Sequence, residues 1–518
     1  MPSSRMIRST TVALLLLLLF PVTSLVAAQI DNRVEGEGIF ADQTIRFMYP
    51  NEPMPGASLR LRVRAFKNDL SAAEIRIWNG SEKTYAMHKI AEDEIFEYWE
   101  GTVPGTEVRD DLWYHFVLHD GTDTKWYNVD GVRNSQPYER DFPVHPGFRT
   151  PQWAKEATFY QIFVDRFYDG DPSNNVPDEA YALGQYKVYT HDDWNELPEN
   201  PGHGNDFFGG DLAGVEAKLP YLQDLGVTAI YLNPIFLSPS NSKYDTRDYR
   251  IVDSPEEWGF GFGGDAAFDS LLHAAHNAGI RVILDGVFNH TGDWHQWFDR
   301  AGQYPTDGAF ESKASEWSTF YTFFEWPYSF CHWSTFGMMP KLNYAEERVR
   351  EEIYRNEDAI ARYWPGERDT DGWRLDVPNE AGPYCEGGDH SIWREFRNAV
   401  KSVRPDAYIT GEIWENATPW LEGDQFDAVM NYNGFAKPVW RFIAGRDKDN
   451  NPATLDVDAF DAWLSGVRGD NPPQATYAQQ NLLDSHDTYR FLTLAGGDWR
   501  KVREAAILQM TYVGPPMI

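Results

Sequence analysis

Hydrophobic and polar residues alternate through residues 29–140. Residues 58–66 read S-L-R-L-R-V-R-A-F, which places apolar and charged side chains on opposite faces of a strand. Similar β-rich runs occupy residues 73–78 and 112–118, and the pair Asp120-Gly121 predicts a hairpin turn before residues 125–129. Short strands separated by turn residues predict a β-sandwich, with a proline-rich linker, over residues 29–150.

Beyond residue 151 the pattern changes to apolar β-runs separated by helical stretches. The β-runs cover residues 158–164, 227–232, 281–285, 373–377, 407–413, 428–432, 475–483 and 510–513. The helical patterns cover residues 211–224, 265–278, 346–363, 390–403, 456–466 and 499–509. This alternation predicts an α/β fold, a (β/α)8 TIM barrel over residues 151–518. An open doubly wound sheet is the alternative, but no glycine-rich phosphate loop follows the first β-run.

The amino terminus has the layout of a secretory signal peptide. Arg5 and Arg8 precede an apolar run over residues 12–20, and small residues follow at 26–28. A membrane anchor, the alternative, needs about 20 apolar residues, and this run is shorter. We therefore expect a signal peptide over residues 1–28, a secreted or periplasmic protein and no membrane span.

Composition and charge limit the classes of partner. The chain is 42% hydrophobic and 24% charged, which is typical of a globular protein, and its formal net charge is −33. Such a surface repels nucleic acid but is indifferent to a neutral substrate. The two cysteines, Cys331 and Cys385, either pair or remain free thiols, and the sequence leaves both alternatives open.

Polar side chains follow several of the β-runs. The third run ends D-G-V-F-N-H at 285–290, the fourth reads G-W-R-L-D-V-P-N-E at 372–380, the fifth continues G-E-I-W at 411–414 and the seventh continues D-S-H-D at 484–487. A single Asp at a strand end often caps the next helix. Several such ends on the face where barrels carry their active sites indicate a catalytic centre.

Glycosidic hydrolysis needs two carboxyl groups in different protonation states. Asp376 has Arg374 two residues earlier on the same face of the strand, and a guanidinium lowers the pKa of a neighbouring Asp, as a nucleophile requires. Glu412 has Trp414 beside it, and an apolar wall raises the pKa of a general acid. A zinc site is the weaker interpretation, because no H-E-x-x-H motif occurs.

These strand-end motifs resemble the α-amylase family of barrel glycosidases, in order and in strand assignment. The resemblance implies that Asp376 is the nucleophile, Glu412 the general acid/base and Asp487 the third carboxylate, which stabilises the transition state. It implies a supporting role for Asp285. The residues expected to bind substrate are Arg374, His290, His486, Tyr244 and Trp414.

Two further segments resemble the neopullulanase, cyclomaltodextrinase and maltogenic amylase branch of that family. They are M-P-K-L-N at 339–343 and G-D-Q-F-D-A-V-M-N-Y at 423–432. The resemblance implies retaining hydrolysis of α-1,4 bonds in cyclodextrins, pullulan or starch oligosaccharides, an inserted B domain over residues 291–345 and a homodimer. An endo-acting secreted α-amylase on starch and a noncatalytic glucan-binding protein are the alternatives.

The same branch implies a calcium site near the first strand. The expected ligands, which offer the oxygen atoms that calcium prefers, are Asp169, Asp171, Asn174, Asn175, Gly209 and Asp211. The alternative is an ordinary loop, where Asn and Asp are common. Three features depart from the branch: Pro378, an insertion over residues 382–388, and an end at residue 518, from which we expect a barrel truncated in its eighth repeat.

Overall fold

The computed structural model describes residues 31–198 and 204–518. The predicted signal peptide over residues 1–28 lies outside the described residues. Among the helices of the described ranges, none has the length and apolar character needed to cross a bilayer.

A two-sheet β-sandwich forms the amino-terminal unit. One sheet contains Met48–Tyr49, Leu59–Phe66, Phe96–Val103 and His88–Glu92 in this order. The other contains Glu82–Ala86, Ala72–Trp78, Leu112–Asp120, Asp123–Asn128 and Gly131–Arg133, and Phe142–Val144 pairs with Leu112–Asp120. In Leu59–Phe66 every second residue is buried, so the predicted alternation places its apolar face in the core between the sheets.

The carboxyl-terminal unit is an eight-stranded parallel barrel. Its strands, in chain order, are Phe159–Ile162, Ala229–Leu232, Arg281–Gly286, Gly372–Leu375, Tyr408–Gly411, Ala428–Val429, Asn481–Leu482 and Pro516–Met517. Each strand pairs with its sequence neighbours, and the first pairs with the eighth. A parallel bridge between Met430 and Gln480 joins the sixth and seventh strands and closes the barrel. The predicted fold class is confirmed.

The strand predicted over residues 510–513 is wrong. The helix Trp499–Thr511 covers the first two residues of that segment, and the eighth strand is Pro516–Met517. A short apolar run has no period that distinguishes the end of a helix from a strand. The run predicted over residues 475–483 likewise contains the end of a short helix, Pro473–Thr476, before its strand begins.

Helices surround the barrel. The main ones are Leu212–Ala217, Leu219–Asp224, Gly264–Asn277, Ile360–Gly366, His390–Val403, Val457–Asp470 and Trp499–Thr511. Shorter ones are Gln152–Lys155, Pro255–Trp258, Glu347–Arg350, Lys437–Val439 and Phe491–Leu494. The single helix predicted over residues 346–363 is interrupted, because the chain leaves the helical conformation at Asn356.

A long excursion follows the third strand. It holds the hairpin Phe323–Glu325 and Ser329–Phe330, and it buries Phe298, Phe320 and Tyr321 against the barrel core. A disulfide joins Cys331 in this excursion to Cys385 in the insertion after the fourth strand. The described cysteines are therefore paired, which decides between the two alternatives left open by the sequence.

Replacing Cys331 and Cys385 together with Ser is expected to lower the free energy of unfolding by about 2–4 kcal/mol. The disulfide closes a sequence separation of 54 residues, and its loss returns entropy to the unfolded chain. Thermal unfolding with and without a reductant measures the effect. The reductant should lower the melting temperature of the wild type and leave that of the double variant unchanged; an equal response of both proteins would contradict the prediction.

Candidate active site

Arg374 lies at the centre of a cluster of carboxylates at the carboxyl ends of the strands. Its side chain is fully buried, and its Nη1 lies 2.9 Å from Asp285 Oδ1 and 3.0 Å from Asp376 Oδ1. Its Nη2 lies 2.9 Å from Glu412 Oε2. One guanidinium therefore holds three carboxylates that come from the third, fourth and fifth strands, and it brings the two expected catalytic groups together.

Asp285 is the fixed member of this cluster. Besides contacting Arg374, its Oδ2 accepts hydrogen bonds from the hydroxyls of Tyr231, at 2.5 Å, and Tyr244, at 2.8 Å. These bonds occupy its oxygen atoms and orient Arg374. The arrangement fits the expected supporting role.

Asp376 does not have the lowered pKa that we expected from its neighbour Arg374. Burial raises the pKa of Asp376 well above its usual range, and Arg374 opposes this rise while Glu412 and Asp285 add to it. Local sequence shows the nearby cation, but it cannot show that other carboxylates share it. The expected direction of the pKa shift is therefore wrong.

Trp414 contacts Glu412 in a different way from the predicted apolar wall. Its indole Nε1 donates a hydrogen bond to Glu412 Oε1 at 2.8 Å, while its ring stacks on Tyr432 with centroids 3.7 Å apart. The backbone N–H of Val377 donates to the second oxygen, Glu412 Oε2, at 3.1 Å. The carboxylate of Glu412 is thus held in one orientation from both sides.

The two expected histidines are buried and neutral near pH 7. Burial lowers the pKa of His290 to about 3 and that of His486 to about 4. His486 Nε2 lies 2.9 Å from the hydroxyl of Tyr244, and the two rings are stacked. His290 Nε2 is buried and makes no side-chain hydrogen bond in the described residues.

Asp487 lies at the open rim of the cluster. Its side chain is 42% exposed, and its Oδ2 lies 3.3 Å from His486 Nε2. Although the side chain is partly exposed, the surrounding protein displaces water from the carboxyl group, and this desolvation raises the pKa of Asp487. Arg374 partly opposes the rise. The structure thus brings all three expected carboxylates into one site, with Asp487 most accessible to a ligand.

Val377, directly after Asp376, has a strained backbone. Its φ of 35° and ψ of 49° fall in the left-handed region, which a β-branched residue rarely adopts. Such strain costs about 1–3 kcal/mol. The N–H of this strained residue donates to Glu412 Oε2, which links the segment after the expected nucleophile to the expected acid/base.

Replacing Arg374 with Met is expected to lower the free energy of unfolding by about 3–5 kcal/mol, because it leaves buried carboxylates without their cation. The loss should be smaller near pH 5 than near pH 8. The pKa values of Asp285 and Asp376 are raised, so these groups take up protons as the pH falls and lose the uncompensated charge.

Urea unfolding at both pH values measures this effect. Arg500→Met is a suitable control, since Arg500 is exposed and pairs only with Asp498 among its described neighbours. A loss of stability in Arg374→Met that does not change with pH would contradict the electrostatic explanation.

Comparison with known proteins identifies the family. The description "Alpha amylase, catalytic domain" matches residues 161–518, and "Alpha amylase, N-terminal ig-like domain" matches residues 37–145. The chain belongs to the α-amylase family. The first match spans every site residue described above, and the individual roles of those residues remain predictions.

Similar members of the α-amylase family include proteins of the expected branch. Neopullulanase 2 from Thermoactinomyces vulgaris is 39% identical, over 93% of this chain and 77% of its own length. The amylopullulanase from Thermoanaerobacterium saccharolyticum is 37% identical over 89% of this chain, which spans only 39% of that longer protein. A solved cyclomaltodextrinase is 34% identical, with a TM-score of 0.67, over 93% of this chain and 77% of that one.

The sequence interpretation missed several residues of this α-amylase family site. Gln161 Nε2 lies 2.6 Å from His486 Nδ1 and donates to Asn233 Oδ1 at 2.9 Å. Gln161 lies near the end of the first strand and Asn233 directly follows the second, so the strand-end rule could have found both. Trp333 stacks on His290 with centroids 5.7 Å apart, but its place in a long loop gave no signal.

The expected calcium ligands fall into two groups. Asp211 accepts hydrogen bonds from the backbone N–H of Gly170 and Gly214 through Oδ1, and from Asp171 N and Asn174 Nδ2 through Oδ2. Asp171 likewise accepts two hydrogen bonds from Ser173, through Oδ1. These two carboxylates stabilise the turn at residues 170–174 and the start of the helix Leu212–Ala217 through hydrogen bonds.

Asp169 and Asn175 form the other group. Asp169 Oδ1 and Asn175 Oδ1 are buried without hydrogen-bond partners in the described residues. Gly209, at φ 78°, is so close that a Cβ there would lie 2.6 Å from Asn175 Oδ1. The described ranges contain no group of three His, Cys, Asp or Glu placed to hold a metal ion, so a cation here would depend on amide and carbonyl oxygens as well.

Proposed function

We propose that this protein hydrolyses α-1,4-glucosidic bonds in cyclodextrins, pullulan or starch-derived oligosaccharides with retention of configuration. The observation that supports this most is the shared contact of Asp376 and Glu412 with adjacent nitrogens of Arg374. Retaining glycosidases keep their two carboxyl groups close together, because one of them attacks the sugar directly.

In the first step Asp376 attacks the anomeric carbon and Glu412 donates a proton to the glycosidic oxygen. The bond to the leaving sugar breaks, and a glycosyl ester forms on Asp376. In the second step Glu412 takes a proton from water, the water oxygen attacks the same carbon, and Asp376 leaves as a carboxylate. Asp487 stabilises the positive charge that develops on the sugar ring, and His290 and His486 bind its hydroxyls.

The relative rates on γ-cyclodextrin and on soluble starch distinguish this proposal from its first alternative, an endo-acting α-amylase. A cyclodextrin-type enzyme should release products from γ-cyclodextrin at least as fast as from soluble starch. A strong preference for starch would favour an endo-acting α-amylase. If a full-length protein released no reducing sugar from any α-glucan, the noncatalytic glucan-binding alternative would be correct.

The activity should fall on the acid side at a higher pH than an ordinary Asp would give. The nucleophile must be ionised, and the pKa of Asp376 is raised by burial. Activity is therefore lost as the pH falls through that raised pKa. A profile of kcat/KM against pH locates the inflection. An acid limb at or below about pH 4, where a free Asp titrates, would contradict this prediction.

A structural calcium ion near the first strand is part of the proposal. Asp169 and Asn175 would hold it, supported by their free buried oxygen atoms. Calcium should raise the melting temperature of the wild type, and Asp169→Ala should abolish that shift. Asp211→Ala should lower stability with or without calcium, because Asp211 bonds the turn itself. A calcium shift that persists in Asp169→Ala would reject this site.

We also propose export through a signal peptide over residues 1–28, cleaved after Ala28. The apolar run at residues 12–20 and the disulfide, which needs an oxidising compartment, both support export. Amino-terminal sequencing of the mature protein tests it. The resemblance to the neopullulanase branch supports a homodimer, which sedimentation of the full-length protein would test.

A further inference from the structure

The insertion over residues 382–388 packs on the segment that follows the expected nucleophile. That segment begins at Val377, whose N–H binds the carboxylate of Glu412. The insertion folds back on it, because the N–H of Gly388 donates to the carbonyl of Asn379 at 2.9 Å. The acid/base gives its proton to the leaving sugar, so a segment bound to Glu412 borders the half of the site that receives that sugar. The insertion therefore lies at the rim of the leaving-group side.

The long excursion after the third strand holds the insertion from the other side. The disulfide joins Cys331 to Cys385, and Lys341 Nζ donates to the carbonyls of Cys385 at 3.3 Å and Glu386 at 3.0 Å. The backbone of Lys341 also forms an antiparallel bridge with His290, one of the residues expected to bind substrate. The insertion is thus joined, covalently and by hydrogen bonds, to a segment that contacts the catalytic site.

Tyr384, in the middle of the insertion, has a fixed backbone and an exposed ring. Its N–H donates to Asn343 Oδ1 at 2.7 Å, and its side chain is 60% exposed. Its φ of 54° lies in the left-handed region, which a bulky residue rarely adopts. Such strain persists only where the surroundings determine the backbone, and it is common where proteins hold ligands.

The local structure does not require a tyrosine at position 384. An exposed ring adds little to the core, and the hydrogen bond to Asn343 uses a backbone N–H that every residue except proline provides. Gly or Asn would adopt the left-handed conformation with less strain. A phenol offers a flat apolar face and one hydroxyl, which suit a pyranose ring. The side chain therefore fits a contact with substrate better than a role in folding.

We infer that Tyr384 is a specificity-determining residue, which stacks on a glucose unit on the leaving-group side of the cleaved bond. The disulfide, Lys341 and Asn343 position it. This inference rests on the proposed function, since that function supplies the glucan. A ring on a fixed backbone loses little entropy when it binds a ligand. The enzyme should therefore favour substrates that carry several glucose units beyond the cleaved bond.

Two substrates isolate this contact. Maltopentaose has glucose units on the leaving-group side, whereas α-glucosyl fluoride has none there. Tyr384→Ala should lower the ratio of kcat/KM on maltopentaose to kcat/KM on the fluoride about tenfold, equal to about 1.4 kcal/mol. Tyr384→Phe keeps the flat ring and should hold this ratio within about twofold of the wild type. A ratio that falls as far in Tyr384→Phe as in Tyr384→Ala would overturn the stacking contact.

The double variant Cys331→Ser with Cys385→Ser tests how the ring is positioned. It should lower the same ratio at a temperature well below its unfolding, and adding Tyr384→Ala should then lower the ratio by less than about threefold further, because the two changes remove one contact. A reductant should lower the ratio in the wild type but not in the double variant. Fully additive effects would overturn the positioning role of the disulfide.

Tyr221→Ala is the matched control, since Tyr221 is 51% exposed and lies on the helix Leu219–Asp224 outside the barrel. It should leave the ratio unchanged. An unchanged ratio in an active Tyr384→Ala variant, including an equal loss on both substrates, would reject this inference alone. A wild type that hydrolyses neither substrate would reject the proposed function and this inference with it.

Discussion

Asp376→Asn should lower kcat on any accepted α-glucan by at least about 10⁴-fold, since it removes the nucleophile. The substitution keeps the size of the side chain. It removes the negative charge of a buried carboxyl group, and the pKa of that group is already raised by burial. Folding and glucan binding should therefore survive. Steady-state rates on γ-cyclodextrin, together with a binding titration, measure both effects.

Asp461→Asn, an exposed site on the helix Val457–Asp470, is the matched control and should retain full activity. Turnover within tenfold of the wild type in Asp376→Asn would reject the assignment of the nucleophile. Loss of binding together with loss of turnover would instead show that Asp376 is needed to form the site.

The second large effect is expected from Glu412→Gln. General acid/base catalysis contributes about 10²–10⁴-fold, and kcat on natural glucans should fall by that amount. Gln has the shape of Glu but only one oxygen, so it can accept only one of the two hydrogen bonds that Trp414 and Val377 donate to the separate oxygens of Glu412. A melting temperature measured beside kcat therefore separates the loss of proton transfer from a loss of stability.

Substrates with different leaving groups separate the two halves of this role. The fluoride ion of an α-glucosyl fluoride leaves without being protonated, so the rate of the first step should be nearly normal in Glu412→Gln. The second step still needs Glu412 as a base, and the glycosyl ester on Asp376 should therefore accumulate. Trapping that ester by mass spectrometry would support both assignments. An equal loss of rate on the fluoride and on γ-cyclodextrin would show that Glu412 is not the acid.

Sequence patterns predict much of this fold, because both of its units depend on local periodicity. The alternation in residues 58–66 predicts a half-buried strand, and the repeated β-runs predict the barrel. The eighth strand, Pro516–Met517, escapes prediction because two residues after a glycine turn carry no period. The irregular helical segments over residues 432–444 were missed because their side chains are apolar on most sides.

The candidate site is predictable in its residues but not in its electrostatics. The strand-end rule finds Arg374, Asp376 and Glu412 because barrel strands bring distant residues to one face. The pKa of Asp376 depends on Asp285 and Glu412, which lie 91 and 36 positions away along the chain and share its only close cation in the described residues. A pKa shift predicted from two residues that are neighbours in the sequence is therefore wrong where one cation contacts several carboxylates.

Val377 has a consequence for engineering. A library of variants selected only for heat resistance should enrich Gly or Asn at position 377, since both adopt its left-handed conformation more readily than Val. Those variants would relax the turn between nucleophile and acid/base. They should therefore have a higher melting temperature and a lower kcat than the wild type. Position 377 thus marks a place where thermal tolerance and turnover compete, and selections for an industrial catalyst should hold it fixed.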